Sequence, residues 1–514
     1  MEGGYGAVVS GAPEKGSGAP PFAAANGSNG AKRDGESWSL LANDISLAEA
    51  GQNGRGNWAS NGTKHVGVFG KGARRTDNNR LVTILLVLNY MIGSGILNTS
   101  QTALRSGLAA TTVLYVIACA AVWLGGVVLI LAAEASCQGG HGSVEELDYT
   151  VLVARTLGEH GPALVDLSVV TMNFGAVCSY IILIGGLVSS MLLEWSAASA
   201  EPGSMDVIIS WWQSFYFVTP VMVLFFVLPP CLVRHFSNLR WLSAFSLFAI
   251  SAVVALVMFG SSTYASYERS TVGDESELNE PLVWWNWTGA FSKLGSLVFA
   301  LNCAAAVLHS YSAMDKRTER RERKWKSVMS ASVLAGGILC YVTGLAGYLA
   351  FRGATQGDIL DNFSGPVAAF FKILVVVHLV FYIPNEAIIL RHNLYSLMGR
   401  DVMKAGFASV SAATFGLLVV MVVVVTTLMS AGIAQGDLFG YILDLTGGVT
   451  GSVLSFVLPG MAYLAATKDV ALTGGAGEGS SVRAYRIGCR VLIVFGLAMI
   501  VLVPAAVMRS ALYM

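Results

Sequence analysis

Charge is what this sequence has least of. Only 12% of its 514 residues are Asp, Glu, Lys or Arg, 54% are apolar, and the mean hydropathy is +0.61. Soluble domains carry roughly 25% charged residues, so a water-soluble globular fold is excluded and an all-α polytopic membrane protein is expected. No GxSxG, HExxH, P-loop or dinucleotide fingerprint stands in a plausible context, so neither an enzyme nor a bound organic cofactor is expected. The seven cysteines (Cys119, Cys137, Cys178, Cys231, Cys303, Cys340 and Cys489) lack CxxC spacing, which argues against a metal site. They fall in apolar runs or at the ends of such runs, are not placed for an extracellular disulfide, and read as small buried residues. A charged start followed by an apolar core and a cleavage site is also missing, so no signal peptide is expected and the first span should direct insertion.

What is there is a series of apolar stretches of about 20 residues, the length that crosses a bilayer. They lie near 80–103, 108–133, 163–190, 213–230, 240–262, 290–312, 328–350, 367–389, 404–429, 437–465 and 491–508, which predicts about eleven helices within 79–512. Arg74, Arg75, Arg80, Arg155, Arg234, Arg240, the run Lys316 to Lys326, Arg391, Arg400, Lys404, Lys468, Arg483, Arg486 and Arg490 fall on one side. The other side holds Arg105, Arg269, Lys293, Arg352 and Arg509. This bias places the N-terminus in the cytoplasm. Residues 1–78, rich in Gly, Ala, Ser and Asn, read as a disordered cytoplasmic tail. Within it Glu36-Ser-Trp-Ser-Leu40-Leu41 fits an acidic dileucine sorting pattern, which leaves plasma and vacuolar or lysosomal membranes both open. Asn286-Trp-Thr288 is a sequon on the outer side, close to the membrane.

The first span is interrupted. Asn89-Tyr-Met-Ile-Gly93-Ser94-Gly95-Ile96-Leu97-Asn98 sets two glycines and two asparagines in the middle of an apolar run. Glycine costs about 1 kcal/mol against alanine inside a helix, and freed backbone groups in hydrocarbon persist only where they line a protein cavity. A second interruption is expected near Leu301-Asn302-Cys303-Ala304-Ala305-Ala306, small and polar amid Val and Phe. Paired breaks in corresponding members of two halves point to a central binding site.

Five segments, in order, resemble the amino-acid/auxin permease family, most closely its sodium-coupled neutral amino-acid transporter branch. They are the broken helix itself, Leu228-Pro-Pro-Cys231 through Arg240-Trp-Leu242, Gly347-Tyr348 through Asn362, Tyr382-Ile-Pro-Asn-Glu386 followed by Arg391, and Thr446-Gly-Gly through Pro459. The resemblance implies a LeuT-type fold of two inverted five-helix repeats with an eleventh transmembrane helix. It implies secondary active transport of L-amino acids by alternating access, coupled to sodium or a proton. Spans one, two, six and seven would rock against three, four, eight and nine, with Gly125-Gly126 and Gly185-Gly186 packed between these units. A cationic amino-acid permease and a transporter-like sensor without flux are the rival readings. The expected partners are a small amino acid and the lipid bilayer, with no nucleic acid, and the transport unit is expected to be monomeric.

Gly93, Ser94, Gly95 and Ile96 would donate backbone N–H groups to the substrate carboxylate; the competing role is a close helix crossing. Asn302, Cys303 and Ala304 would line the cavity with carbonyls facing the substrate amine, although the family usually has histidine and proline where Ala304 and Ala305 stand. Asn89 matches the family's asparagine at the coupling-sodium site or makes an interhelical hydrogen bond. Tyr382 replaces the family's cation-coordinating threonine, and a phenol is a poor substitute at a tight sodium site. His378, Tyr382 and Glu386 share one helix face, with Asn385 beside them. An ionisable residue in a span is a functional candidate, so Glu386 serves proton or sodium coupling, selects a cationic side chain, or pairs structurally with Arg391. Asn173 faces the pocket or a neighbouring helix, His309 reads as packed or gate-lining, and Asp444 is a gate charge or an outer-leaflet residue near water. Gly447, Gly448 and Gly451 allow close packing or a bend, and the Lys316 to Lys326 run binds anionic lipid or, more simply, anchors topology.

Overall fold

The computed structural model describes residues 79–512 except 138–142, 145–146, 200–209, 233–239, 273–276, 315–320, 403 and 469–479. The expected tail over 1–78, with its sorting pattern, and residues 316–320 of the basic run lie outside the described residues. The described elements are helical: α1 (Arg80–Met91), α2 (Thr99–Ser106), α3 (Leu108–Cys137), α4 (Tyr149–Leu157), α5 (Gly161–Ser199), α6 (Phe215–Met222), α7 (Leu228–Cys231) and α8 (Arg240–Val272). The second half adds α9 (Trp287–Ala300), α10 (Ala304–Ser312), α11 (Arg321–Phe351), α12 (Gly365–Leu397), α13 (Phe407–Ser430), α14 (Gln435–Thr446), α15 (Leu458–Ala466) and α16 (Ser480–Leu512).

Among the described residues nine helices are long and apolar enough to cross a membrane, and the bent pair α1 and Ser94–Ser106 makes a tenth. Phe215–Cys231, from α6 through α7, is shorter but apolar. Ten of the expected stretches thus fall on helices of spanning length, counting the bent pair as one, and the stretch near 213–230 falls on this shorter helix. Side chains on these helices that would face water in a soluble protein are large and apolar, such as Phe225, Phe259, Val494 and Val501, as lipid contact requires.

Local chemistry sets the ends. The Asn79 side chain accepts from the Val82 N–H at 3.0 Å and caps α1. Gly107 turns the chain from α2 into α3 with φ +88°, and a Cβ there would meet the Trp284 backbone at 2.6 Å, so only glycine fits. The helix α4, which the apolar pattern does not announce, is capped by Asp148 accepting from Val151 at 2.7 Å.

The longest packing seam joins α5 to α12, and α3 packs along α15. The glycine pairs act differently from expectation. Gly126 meets Met329 on α11 and Gly185 meets Thr219 and Phe215 on α6, contacts inside each proposed unit, while Gly125 and Gly186 meet Ser455 and Gln435 of the tenth span. That span is itself irregular, with π-helical turns over Gly447–Gly451 and Val453–Val457. Gly447 there lies against the Gly295 carbonyl, where a Cβ would sit 2.0 Å away, so these glycines serve both a bend and a close contact.

Candidate substrate site

The first break is built from its own backbone. After Met91 the chain leaves the helix at Ile92 (φ −84°, ψ 89°), extends through Gly93, and restarts as a tight turn over Ser94–Asn98. Of the four expected donors, two are committed locally: the Gly93 N–H to Met91 O at 3.1 Å and the Ile96 N–H to Gly93 O at 3.3 Å. Ser94 and Gly95, the first two residues of the new helix, have no intrahelical acceptor for their N–H groups. The glycines divide the labour. A Cβ on Gly93 would meet nothing within 4 Å, whereas one on Gly95 would meet Ala300 Cα at 3.0 Å and its Cβ at 3.1 Å. Gly95 thus permits the crossing of the first and sixth spans, and Gly93 borders open space.

The sixth break begins at the end of α9 and restarts at Ala304. Asn302 holds it together. Its Oδ1 accepts from the Ala304 N–H at 3.0 Å and from Ser455 Oγ at 3.0 Å, and its Nδ2 faces Met172 Sδ at 3.1 Å. The Cys303 carbonyl accepts from Ala306 at 2.9 Å. Cys303 and Ala304 also line a small cavity with Gly125, Gly126 and Ser455, with room for a water but not for an amino acid.

The face of α12 turns toward the first break. The Tyr382 hydroxyl is set against the half-buried Glu386 carboxylate as a hydrogen-bond partner. Tyr382 packs edge-on against Tyr180 of α5 (5.7 Å) and tilted against His378 (5.4 Å), whose buried Nδ1 has no partner. Tyr180 stands beside both Glu386 and Ser94, its phenol set against the buried Ser94 Oγ as a hydrogen-bond partner. Arg391 is not aimed at Glu386; its guanidinium donates to Thr414 at 2.7 Å. Asn89 and Asn385 are half-buried, and neither is hydrogen-bonded to Tyr382 or Glu386. Asn173 is buried on α5, and His309 is half-buried in the last turn of α10.

Lys293 differs from its expected place: it is buried within α9 and not on the outer side. Asp444 is fully buried on α14, which removes the alternative of a residue near water and leaves that of a gate charge. The two pair at 2.9 Å. Lys293 also donates to Gln101 Oε1 at 3.0 Å, Asp444 accepts from the Ser296 N–H at 3.0 Å, and Asn98 donates to Gln101 at 2.9 Å. Toward the Arg105 end, Asp437 takes hydrogen bonds from Arg105 (2.9 Å) and Gln101 (2.7 Å). This network ties the first, sixth and tenth spans together beside the breaks. Lys293 and Asp444 are 151 residues apart, so no local pattern links them. Tyr180, Met172 and Ser455 were likewise missed, each looking like an ordinary apolar-span residue.

Two interrupted helices crossing at a polar centre, inside a bundle of apolar spans, define a multi-pass membrane transporter. Residues 79–508 match the family described as transmembrane amino acid transporter protein, and the chain belongs to that family. It is similar to a mouse protein named "Putative sodium-coupled neutral amino acid transporter 11", 22% identical over 76% of this chain and 79% of that one. Sodium-coupled neutral amino acid symporter 2 of Danio rerio is 23% identical over 74% of each. Among solved structures, MhsT in complex with L-phenylalanine covers 84% of this chain and 100% of its own at 14% identity, TM-score 0.49. Mhp1 in an inward-facing conformation covers 86% and 96% at 14% identity, TM-score 0.49.

Proposed function

We propose that this chain carries L-amino acids across its membrane by alternating access about the crossing of the two broken helices, coupled to a proton at Glu386. The observation that carries the reading is the restart at the first break, where the Ser94 and Gly95 N–H groups have no intrahelical acceptor and Gly93 has an open side. Helix-start N–H groups favour an anion, so the substrate carboxylate belongs there. Its amine would approach the carbonyls at the end of α9, with Asn302, Cys303 and Ala304 forming that wall. The paired breaks support the two-repeat LeuT-type arrangement, with Phe215–Cys231 as the fourth of eleven spans.

Glu386 supports the proton reading because its recorded partner is the Tyr382 phenol while Arg391 is turned to Thr414. A carboxyl within an apolar span and without a cation partner is suited to carry a proton. The sodium reading would need Asn89 and Tyr382 to converge, and Tyr382 is engaged with Glu386 instead. Both relatives are named for sodium coupling, so the two ions are the contrast to test. The Lys and Arg bias supports a cytoplasmic N-terminus, and the enclosed centre supports a monomeric transport unit.

Uptake of labelled neutral and cationic amino acids into proteoliposomes under imposed proton or sodium gradients tests this. A proton gradient should drive neutral amino-acid accumulation, and Glu386→Gln should abolish that drive while leaving exchange. Accumulation that follows sodium alone and is unchanged in Glu386→Gln would remove the proton from the mechanism.

A further inference from the structure

The connection between α11 and α12 is a short loop folded on itself. Asn362 Nδ2 donates to Ala354 O at 2.7 Å, and Asn362 Oδ1 accepts from the Gln356 N–H at 2.8 Å. It sits on the first break and on the tenth span: Asn98 Nδ2 donates to Gly357 O at 2.8 Å, and a Cβ on Gly357 would lie 2.0 Å from Gly436 O. On this loop Asp358 is 1% exposed; its Oδ1 caps the turn through the Leu360 N–H at 3.0 Å, but its Oδ2 is buried with no partner. Asp361 Oδ1 is also buried with no partner.

The charged groups facing this pair from the elements packed against it are Lys372 on α12 and Glu194 on α5, themselves paired at 2.8 Å. Three carboxylates thus share one ammonium. Two orphaned carboxylate oxygens in a buried place lack a donor. A proton supplies one, since a carboxyl group donates where a carboxylate only accepts.

We propose that Asp358 and Asp361 form a proton-binding site completed only when the 355–363 loop is docked, so that the proton concentration on that face sets how firmly the loop is held over the first break. The site is separate from Glu386 and does not depend on the transport reading. Burial is the main cause that pushes Asp361 up to about 6, with Lys372 opposing and Glu194 adding; burial and the Asp361 charge raise Asp358 well above the ordinary carboxylate range. The sign follows from linkage. A carboxyl raised in the docked form favours docking where it is protonated, so the contribution is full below the ordinary range near 4 and is lost as pH rises through about 6.

The test uses the full chain in lipid nanodiscs without substrate. Ile359, the loop residue that is fully buried where the loop docks, is replaced by cysteine, and its maleimide labelling is divided by that of Gln356→Cys, which is exposed. The parent chain gives the background. The ratio should rise several-fold between pH 5 and 8 with a midpoint near 6, and Asp358→Asn with Asp361→Asn should hold it flat at the low-pH value. Asp361→Glu, which keeps a titrating group, should keep the rise even if the double variant does not fold. A ratio that is flat in the unaltered loop, that keeps its midpoint in the double Asn variant, or that answers to sodium at fixed pH overturns the proposal.

Discussion

Two polar regions lie within a few turns of each other in this bundle, and they are finished to different degrees. In the Lys293 network the Lys293 ammonium and both Asp444 oxygens have partners: Lys293 with Asp444 and Gln101, Asp444 with Lys293 and the Ser296 N–H, and Gln101 with Asp437. At the first break, by contrast, His378 Nδ1 on the facing α12 is buried without a partner, and the helix-start N–H groups of Ser94 and Gly95 have no intrahelical acceptor. Buried polar groups are ordinarily satisfied. The difference separates charges that are paired with one another from groups that the proposed transport reading assigns to the substrate.

The sharpest way to break this comparison is to unbalance the finished region. Lys293→Met leaves Asp444 buried and unpaired, and removing one partner of a buried pair costs about 3–5 kcal/mol. A melting experiment should show that loss, and Lys293→Met combined with Asp444→Leu should recover most of it. Equal destabilisation by the single and double variants would mean that the pair is not a unit.

A smaller effect separates the two glycines of the break. Gly95→Ala forces Ala300 to move from contacts at 3.0 and 3.1 Å, and overpacking of this kind costs about 1–3 kcal/mol. Gly93→Ala meets open space at φ −115°, so its melting temperature should stay at the parent value while KM for the amino acid rises. The reverse ranking of the two variants would exchange their roles.

The smallest effect on stability belongs to Ser94→Ala. Removing a hydroxyl that is 2% exposed and set against the Tyr180 phenol should cost no more than one hydrogen bond, about 1 kcal/mol. Substrate affinity should fall several-fold. A clear loss of stability with unchanged affinity would place Ser94 in the finished region.

How much of this was legible in the chain depends on whether the signal is local. The breaks announce themselves because Gly93-Ser94-Gly95 and Asn302-Cys303 interrupt apolar runs over a few residues, and the spans follow from length and hydropathy. The same local rule misplaced Lys293, because a lysine near the start of an apolar run reads as flanking water until Asp444, far along the chain, supplies its counter-charge. Tyr180 gives no signal at all, since an aromatic residue in a span is most often packing. Asn302 was expected to present carbonyls, but its side chain turned out to bind the restart of α10 and the tenth span together, a role that only three-dimensional proximity reveals.

The central claim, that the unfinished region at the first break receives an amino acid, is tested most directly by counterflow. Proteoliposomes loaded with unlabelled neutral amino acid and holding the parent chain should transiently accumulate the labelled form, whereas Gly93→Val, filling the open side of the break at an unchanged melting temperature, should not. Equal counterflow by both proteins would contradict the account.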